Sequence, residues 1–455
     1  MALGVFVIVL NATGRAADFF GVTAYVFEGG GFEQRVSLTT ALIGVMALVA
    51  WSARSTPSIR SSPKRRFELL FLAFATLTTV SQFINHVPWS AAWLSIGGVW
   101  QYVALLLIVN RAIRNLKDVR FILTCIAVAL VVSALIRLGV RGQSFLSFRD
   151  TGVPERLGSV TFGPNVYYAG TVAFVMISTL WLLRTSRNMR STITWSLVLC
   201  FLGTELLVTV TQGGYLAILT TVVGVLWKKE RKVILGVVGC GVALFLGAWQ
   251  WVGAVVTSRG LALNESVFEQ QDVATRLWLD RQGVRHFFDR YGFGYGIGRP
   301  LYFSNSLYYS GRWLPVHGMI LETSEYAGAL ATIVLLFCFF YVGVTLWRIS
   351  RSESPFASCS LYLLLALSAW FIFANTTGVS ILCYAPYEGT ILMYLLLFIG
   401  NRMAEFEVAR RSVVGGTRRS FGAFEWEWRR DLRRRPGFAE GRAARGDYAR
   451  SVRYQ

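Results

Sequence analysis

The sequence predicts an all-α protein, a polytopic bundle of about 12 transmembrane helices with a large extracytoplasmic loop before the third-last span. Two observations lead to this prediction. Hydrophobic residues make up 54% of the 455 residues, and charged residues only 15%, whereas soluble domains carry about 25% charged residues. The apolar residues also form long blocks. A chain of this composition has too little polar surface for water, so a lipid bilayer is its expected surrounding.

Eleven apolar blocks are long enough, or nearly so, for a helix that crosses a bilayer, which takes about 20 residues. The apolar stub Met1–Leu10 brings the expected number of spans to about 12. It has no basic segment and no clear cleavage site, so we do not interpret it as a cleaved signal peptide. The blocks are Ser37–Ala53, Phe67–Ile84, Ala92–Val109, Phe121–Leu138, Val166–Leu183, Thr192–Val208, Gly214–Trp227, Val233–Val252, Thr323–Trp347, Phe356–Ala374 and Tyr387–Gly400.

The connections between blocks alternate in charge. Short cytoplasmic loops are enriched in Lys and Arg, so the basic connections are expected on the cytoplasmic side. We therefore place Lys228–Lys232 and both termini in the cytoplasm and Ser258–Arg312 outside. The basic connections are 54–66, 111–120, 184–190, 228–232 and 348–351, and the connections without Lys or Arg are 85–91, 209–213 and 375–386.

The chain divides into two predicted parts. Residues 1–400 form the transmembrane helical domain, which includes a large outer loop over residues 253–322. Residues 401–455 form an Arg-rich tail with interspersed aromatic residues, expected to be a disordered cytoplasmic segment that lies on anionic headgroups. The formal net charge of +20 is therefore explained by topology and the tail, and nucleic-acid binding is not predicted.

No metal or cofactor is predicted. The six cysteines form no CxxC pair and do not lie near a histidine cluster, so they are interpreted as small packing residues. The outer segments offer no obvious carboxylate cluster of the kind that binds metal.

Three histidines are candidates for proton transfer. His86 lies in a short outer turn, and His286 lies on an amphipathic helix expected over residues 273–291; each is more simply interpreted as structural. His317 differs because the outer loop re-enters the membrane there, shortly before Glu322. An imidazole at this junction can take a proton from a hydroxyl.

The outer segments also collect arginines. Planar guanidinium groups bind phosphate or diphosphate through paired hydrogen bonds, which makes the cluster a candidate diphosphate site. The alternative is a solvated loop in which acidic residues balance the arginines, and the spacing leaves both open. The arginines are Arg141, Arg149, Arg156, Arg259, Arg276, Arg281, Arg285, Arg290, Arg299 and Arg312.

Several short segments follow one another on the predicted outer side: Arg156–Asn165 before a span, the Thr209–Gly214 hairpin, the Gly292–Gly298 stretch and the His317–Gly328 re-entry. Over roughly residues 150–335 this order resembles the O-antigen ligase and O-antigen polymerase family of membrane glycosyltransferases. The corresponding residues are Arg156, Gly158, Pro164, Asn165, Thr209, Thr211, Gly213, Arg276, Trp278, the Gly292–Gly298 stretch, His317, Leu321 and Gly328.

The resemblance implies metal-independent, inverting transfer of a glycan from a polyprenyl-diphosphate carrier to an acceptor hydroxyl of a glycan or lipid. The reaction would take place on the outer face of the bacterial cytoplasmic (inner) membrane. His317 is then expected to be catalytic, and Arg156, Arg276 and Arg299 are expected to bind the diphosphate. The secondary candidates are Asn165, Gln212, Arg281, Arg285 and Glu322.

The chain departs from the family pattern at two positions. Gly318 stands where the family usually has Asn, and Gln212 stands where it usually has Arg. The second departure removes a cation that family members present to the lipid diphosphate. Whether the product is a lengthened glycan, as for a polymerase, or an attached one, as for a ligase, stays open.

Two other functional classes are alternatives. A transporter or flippase of lipid-linked saccharides should hold charged residues at mid-depth in its spans. Few are visible, since Glu205 and Arg137 lie near span ends and Glu388 opens the last span, which favours the enzyme. A membrane protein that assembles others without chemistry is the third class, because fold-level analogy alone does not establish a site.

Overall fold

The structure is a computed structural model and describes part of the chain. The described residues are 27–28, 31–32, 43, 45–47, 64–87, 89–140, 165–209, 214, 218–219, 281, 283–285, 292–296, 308–309, 312–313, 318–377 and 388–415. Nine helices have their bounds within these residues: α1 Lys64–Ile84, α2 Trp89–Ala112, α3 Leu116–Val140, α4 Asn165–Arg184, α5 Met189–Thr209, α6 Met319–Ala327, α7 Ala329–Ser350, α8 Ala357–Thr377 and α9 Glu388–Gly415. Two antiparallel pairs of two-residue strands accompany them: β1 Phe27–Glu28 with β2 Gly31–Phe32, and β3 Tyr308–Tyr309 with β4 Arg312–Trp313.

The helices follow the apolar blocks of the sequence. Each block between residues 67 and 208 forms one helix, α1 to α5, and the block Phe356–Ala374 forms most of α8. In the described residues, three helices are long and apolar enough to cross a membrane: Arg66–Ile84, Ala329–Ser350 and Ala357–Asn375. The helical class and membrane association are therefore supported, while the number of about 12 spans stays a prediction. The blocks Ser37–Ala53, Gly214–Trp227 and Val233–Val252 lie largely outside the described residues.

One predicted span is interrupted. The block Thr323–Trp347 reads as a continuous helix, but α6 ends at Ala327 and α7 begins at Ala329. Gly328 between them has φ +90° and ψ 165°, a conformation that residues with a side chain rarely adopt. Its N–H donates to Ser324 O at 3.1 Å, which closes the last turn of α6. The chain therefore enters α7 through a separate nine-residue helix.

The described helices pack as a connected bundle. α1 packs against α2 and α7, α7 against α8, α8 against α4, and α4 against α3 and α5. Buried aromatic rings join α1, α2 and α9: the ring centroids of Phe71 and Phe398 are 5.0 Å apart, and those of Tyr102 and Tyr394 are 4.1 Å apart. All four side chains are almost completely buried. Aromatic pairs at such distances add to the apolar packing that holds the helices together.

Basic connections meet at one end of the bundle. Arg402 of α9 donates to Ile113 O at 2.8 Å, in the connection after α2. Arg120 donates to Thr185 O at 3.3 Å, in the connection after α4. We call this the basic end. The opposite junction end is formed by the end of α1, by α6 and by the end of α8. This segregation is the pattern that the alternation of charged connections predicts.

The orientation of the two ends is testable by cysteine labelling. We expect an impermeant thiol reagent to label Arg281→Cys but not Lys117→Cys in intact cells, each in a background that lacks the six native cysteines. Both native side chains are exposed; Lys117 lies at the basic end and Arg281 in the predicted outer loop. Labelling of Lys117→Cys without labelling of Arg281→Cys would show that the orientation is the opposite of the predicted one. Residues 230 and 305, which lie outside the described residues, should label like positions 117 and 281.

The last helix extends past the predicted domain boundary. The boundary follows Gly400 because the apolar block ends there, yet α9 continues to Gly415. Its later residues include the good helix formers Met403, Ala404 and Glu405, and Arg410 forms paired 2.9 Å hydrogen bonds with Glu407 one turn earlier. The chain divides into compact units at Glu405 and Phe406. The tail predicted to be disordered therefore begins as helix, and residues 416–455 lie outside the described part.

Candidate functional site

The structure describes some of the predicted site residues. Asn165 is the first residue of α4. Arg281 and Arg285 are exposed helical residues, which keeps both available to a ligand or to solvent. Glu322 is buried in α6, with 5% of its surface exposed. The remaining predicted site residues lie outside the described part of the chain: His317, Arg156, Arg276, Arg299 and Gln212.

The helix α6 begins immediately after the position of His317. Gly318 is its N-cap, with φ +118° and ψ 126° and no side-chain cap. The first turn closes when Glu322 N–H donates to Gly318 O at 2.9 Å. Asn375, near the end of α8, reaches the same turn, and its Oδ1 accepts the N–H of Ile320 at 3.2 Å. Asn375 therefore joins the first turn of α6 to the end of α8.

α6 is polar and yet buried. Glu322, Thr323, Ser324 and Glu325 are each at most 5% exposed. The hydroxyls of Thr323 and Ser324 donate to carbonyls of the preceding turn, Met319 O and Leu321 O, at 2.6 and 2.7 Å. The two carboxylates are three residues apart and share one face of the helix. Burying ionisable groups in a membrane bundle is costly and generally marks function, so α6 is the strongest candidate for a functional element in the described residues.

The glycine-rich segment Gly292–Gly296 packs against the end of α6. Tyr295 N–H donates to Glu325 O, and Gly296 N–H donates to Tyr326 O at 3.1 Å. A Cβ on Gly294 would lie 2.6 Å from Gly328 N and 2.7 Å from Glu325 O, which is closer than non-bonded atoms tolerate. The absence of a side chain at Gly294 therefore allows the outer loop to contact the backbone at the break between α6 and α7.

The end of α1 holds this segment from the other side. Ser81 Oγ lies 2.6 Å from Phe293 O and 3.2 Å from Tyr326 O, so one hydroxyl bridges the glycine-rich segment and α6. Asn85 Nδ2 donates to Ser81 O at 2.8 Å and lies 3.5 Å from Phe293 O. Polar side chains at the end of α1 thus contact the backbone of both the glycine-rich segment and α6.

Sequence reasoning missed Ser81, Asn85 and Asn375 as contributors. Each lies at the end of an apolar block, where a polar side chain ordinarily indicates only the membrane–water boundary. Ser81 and Asn85 are four residues apart and so share a helix face, which is the one signal available. Their partners, Phe293 and Tyr326, are distant in the chain, so spacing could not identify them.

The described residues give no metal site. Within them, no three His, Cys, Asp or Glu side chains lie close enough together to hold a metal ion. The chemistry that this part of the site can supply is that of buried carboxylates and of backbone groups held in fixed positions. Such groups orient a neighbouring imidazole or accept a proton.

Comparison with known proteins gives no family. No family model matches the chain, and no curated protein matches it. The resemblance to the glycosyltransferase family therefore rests on the ordered motifs of the sequence.

Proposed function

We propose that the chain is a membrane glycosyltransferase that moves a glycan from a polyprenyl-diphosphate carrier to an acceptor hydroxyl on the outer face, as a surface polysaccharide polymerase or ligase. One observation carries the proposal. The resemblance assigns the glycine-rich stretch and the His317–Gly328 segment to one site. In the structure, Tyr295 and Gly296 donate hydrogen bonds to the last residues of α6. Two motif segments from separate parts of the chain are thus in contact.

The proposed reaction uses a general base for the acceptor hydroxyl and arginines for the leaving diphosphate. His317 takes the proton of the acceptor hydroxyl, and the hydroxyl oxygen attacks the anomeric carbon of the donor. The bond from that carbon to the phosphate oxygen breaks, and its electron pair leaves with the lipid diphosphate, so the configuration inverts. Arg156, Arg276 and Arg299 stabilise the leaving diphosphate. The developing charge is thereby neutralised by side chains.

Glu322 is the proposed partner of His317. It is the first carboxylate of α6, and its N–H closes the first turn by donating to Gly318 O. A carboxylate beside an imidazole fixes the orientation of the ring and stabilises its protonated form. The burial of Glu322 strengthens such an interaction, because surrounding protein screens charge less than water does.

A second function is favoured by a different observation. The interruption at Gly328 and the buried Glu322 and Glu325 together resemble the discontinuous helices on which transporters place their binding sites. A flippase of lipid-linked saccharides is therefore the competing proposal. It would use the same donor and would form no glycosidic bond.

One assay separates the two functions. The full-length protein is reconstituted in vesicles with a labelled polyprenyl-diphosphate glycan and a soluble acceptor glycan. The glycosyltransferase is expected to produce a larger labelled glycan and free lipid diphosphate. Movement of the donor between leaflets without a new glycosidic product would overturn the enzyme proposal in favour of the flippase.

Arg276 provides a test of the diphosphate site. We expect Arg276→Ala to lower kcat/KM about tenfold to a hundredfold, because a charge-assisted hydrogen bond contributes about 1.5–3 kcal/mol. Arg276→Lys should also be impaired, since Lys keeps the charge and loses the planar fork. Arg114→Ala is the control, because Arg114 is exposed at the basic end. Wild-type kcat/KM in Arg276→Ala, at normal protein level, would remove Arg276 from the site.

A further inference from the structure

The start of α6 has no side chain at its N-cap that could accept a hydrogen bond from the first turn. A helix leaves its first N–H groups without acceptors inside the helix, and buried N–H groups need partners. The N-cap side chain of Ser, Thr, Asp or Asn normally supplies one. Here the N-cap is Gly318, which has no side chain, and both Gly318 and Met319 are buried. The first turn of α6 therefore lacks a side-chain acceptor at its own N-cap, and another element of the protein can supply one.

Asn375 of α8 supplies that acceptor. Its Oδ1 accepts the N–H of Ile320 at 3.2 Å, and its Nδ2 donates to Phe371 O at 2.8 Å. Both bonds require the same orientation of the Asn375 amide, with Oδ1 towards Ile320 and Nδ2 towards Phe371, because Nδ2 can only donate and Oδ1 can only accept. The backbone of α8 is close as well, since a Cβ on Gly318 would lie 3.4 Å from Asn375 O. Thus α8 caps α6 at Ile320, three residues after His317 in the sequence.

We infer that Asn375 is a positioning residue, which holds the start of α6, and that the proposed role of the neighbouring His317 depends on this contact. The inference rests on the proposed function for its catalytic consequence. A nine-residue helix is too short to hold its own ends in place. Within the described residues α6 contacts α8 less extensively than it contacts α7 or α1, and the Asn375 amide joins α6 to α8 by a side-chain hydrogen bond.

The catalytic consequence follows from geometry. Misplacement of a reacting group by about 1 Å costs about a hundredfold in rate. We therefore expect Asn375→Leu, which keeps the size of the side chain but removes both polar atoms, to lower kcat about tenfold to a hundredfold. The KM for the lipid donor should stay unchanged, because the arginines that hold the diphosphate lie elsewhere in the chain. Asn375→Asp keeps an acceptor oxygen for Ile320 N–H and should recover most of the loss.

The position of the junction is measured independently of activity. A single cysteine in place of His317, in a background without the native cysteines, is labelled with an impermeant thiol reagent. Asn375→Leu should change the labelling rate severalfold, and Asn375→Asp should restore it. The matched control is Asn110→Leu at the basic end, which also removes an Asn hydrogen bond, that of Asn110 Nδ2 to Glu68 Oε1 at 2.7 Å. It should leave labelling at position 317 unchanged.

The outcomes separate the inference from the proposed function. A changed labelling rate with reduced kcat, constant KM and rescue by Asn375→Asp supports both. An unchanged labelling rate in Asn375→Leu overturns the inference, even when His317→Ala abolishes transfer. A changed labelling rate in a protein that transfers no glycan under any condition supports the positioning and overturns the proposed function. A kcat loss in Asn110→Leu equal to that in Asn375→Leu also overturns the inference, since general destabilisation then explains both.

Discussion

His317→Ala is expected to lower the rate of glycan transfer about 10²–10⁴-fold, the usual contribution of a general base, while the amount of folded protein stays normal. The residue precedes Gly318, the N-cap of α6, and its proposed role is to take the proton of the acceptor hydroxyl. The measurement is the initial rate of product formation by purified protein with a lipid-diphosphate donor.

The other two histidines are the controls for this prediction. His286→Ala should be mild, and so should His86→Ala, since His86 is exposed in the turn after α1. The decisive comparison is His317→Gln, which keeps hydrogen bonding and removes the basic imidazole. Full activity in that variant would show that the histidine only packs or caps, and the proposed mechanism would have to be abandoned.

Gly328→Ala is expected to destabilise the junction end severely. Positive φ in this region costs a residue with a side chain about 1–3 kcal/mol. The new Cβ would also overlap Gly292 O and lie 2.6 Å from Phe293 C, and overpacking of this kind costs about 1–3 kcal/mol more. Either the glycine-rich segment leaves α6 or the helix break changes shape. A lower thermal unfolding midpoint of the purified protein should report the loss, together with faster proteolysis near residue 293.

The same helix provides a matched control. Gly343 lies inside α7, and among the described residues a Cβ there would meet Leu364 Cδ1 alone, at 3.9 Å, an ordinary contact. Because Ala favours a helix over Gly by about 1 kcal/mol, Gly343→Ala should keep or slightly raise the unfolding midpoint. Equal midpoints for Gly328→Ala and Gly343→Ala would contradict the packing described for Gly328.

The sequence predicted the helices well where apolar blocks end in clear polar connections. α1 to α5 each correspond to one block, because about 20 apolar residues in a row favour one helix in a bilayer. It missed the interruption at Gly328, since a single glycine inside an apolar block is compatible with a continuous helix. The last apolar block ends at Gly400, whereas α9 continues to Gly415, because hydropathy marks the span and not the end of a helix.

The candidate site was predictable only in its local parts. The sequence identified Glu322 as a residue shortly after His317. It identified the glycine-rich stretch as part of the predicted outer loop. The contacts of Ser81 with Phe293 and of Asn375 with Ile320 join residues far apart in the chain, and no periodicity encodes such pairs. The placement of Arg156, Arg276 and Arg299 stays a prediction, since these residues lie outside the described part.

The bridge made by Ser81 also constrains how the protein is made. Its partners Phe293 and Tyr326 follow it by 212 and 245 residues, and chains emerge from the ribosome at about 5–20 residues per second. Several helices must therefore leave the ribosome before the hydroxyl of Ser81 can meet either carbonyl. Until then the Ser81 hydroxyl lacks these two partners. The junction end is consequently among the last parts of the described bundle to close during biogenesis, and a chain truncated before residue 326 would reach the bilayer with that end incomplete.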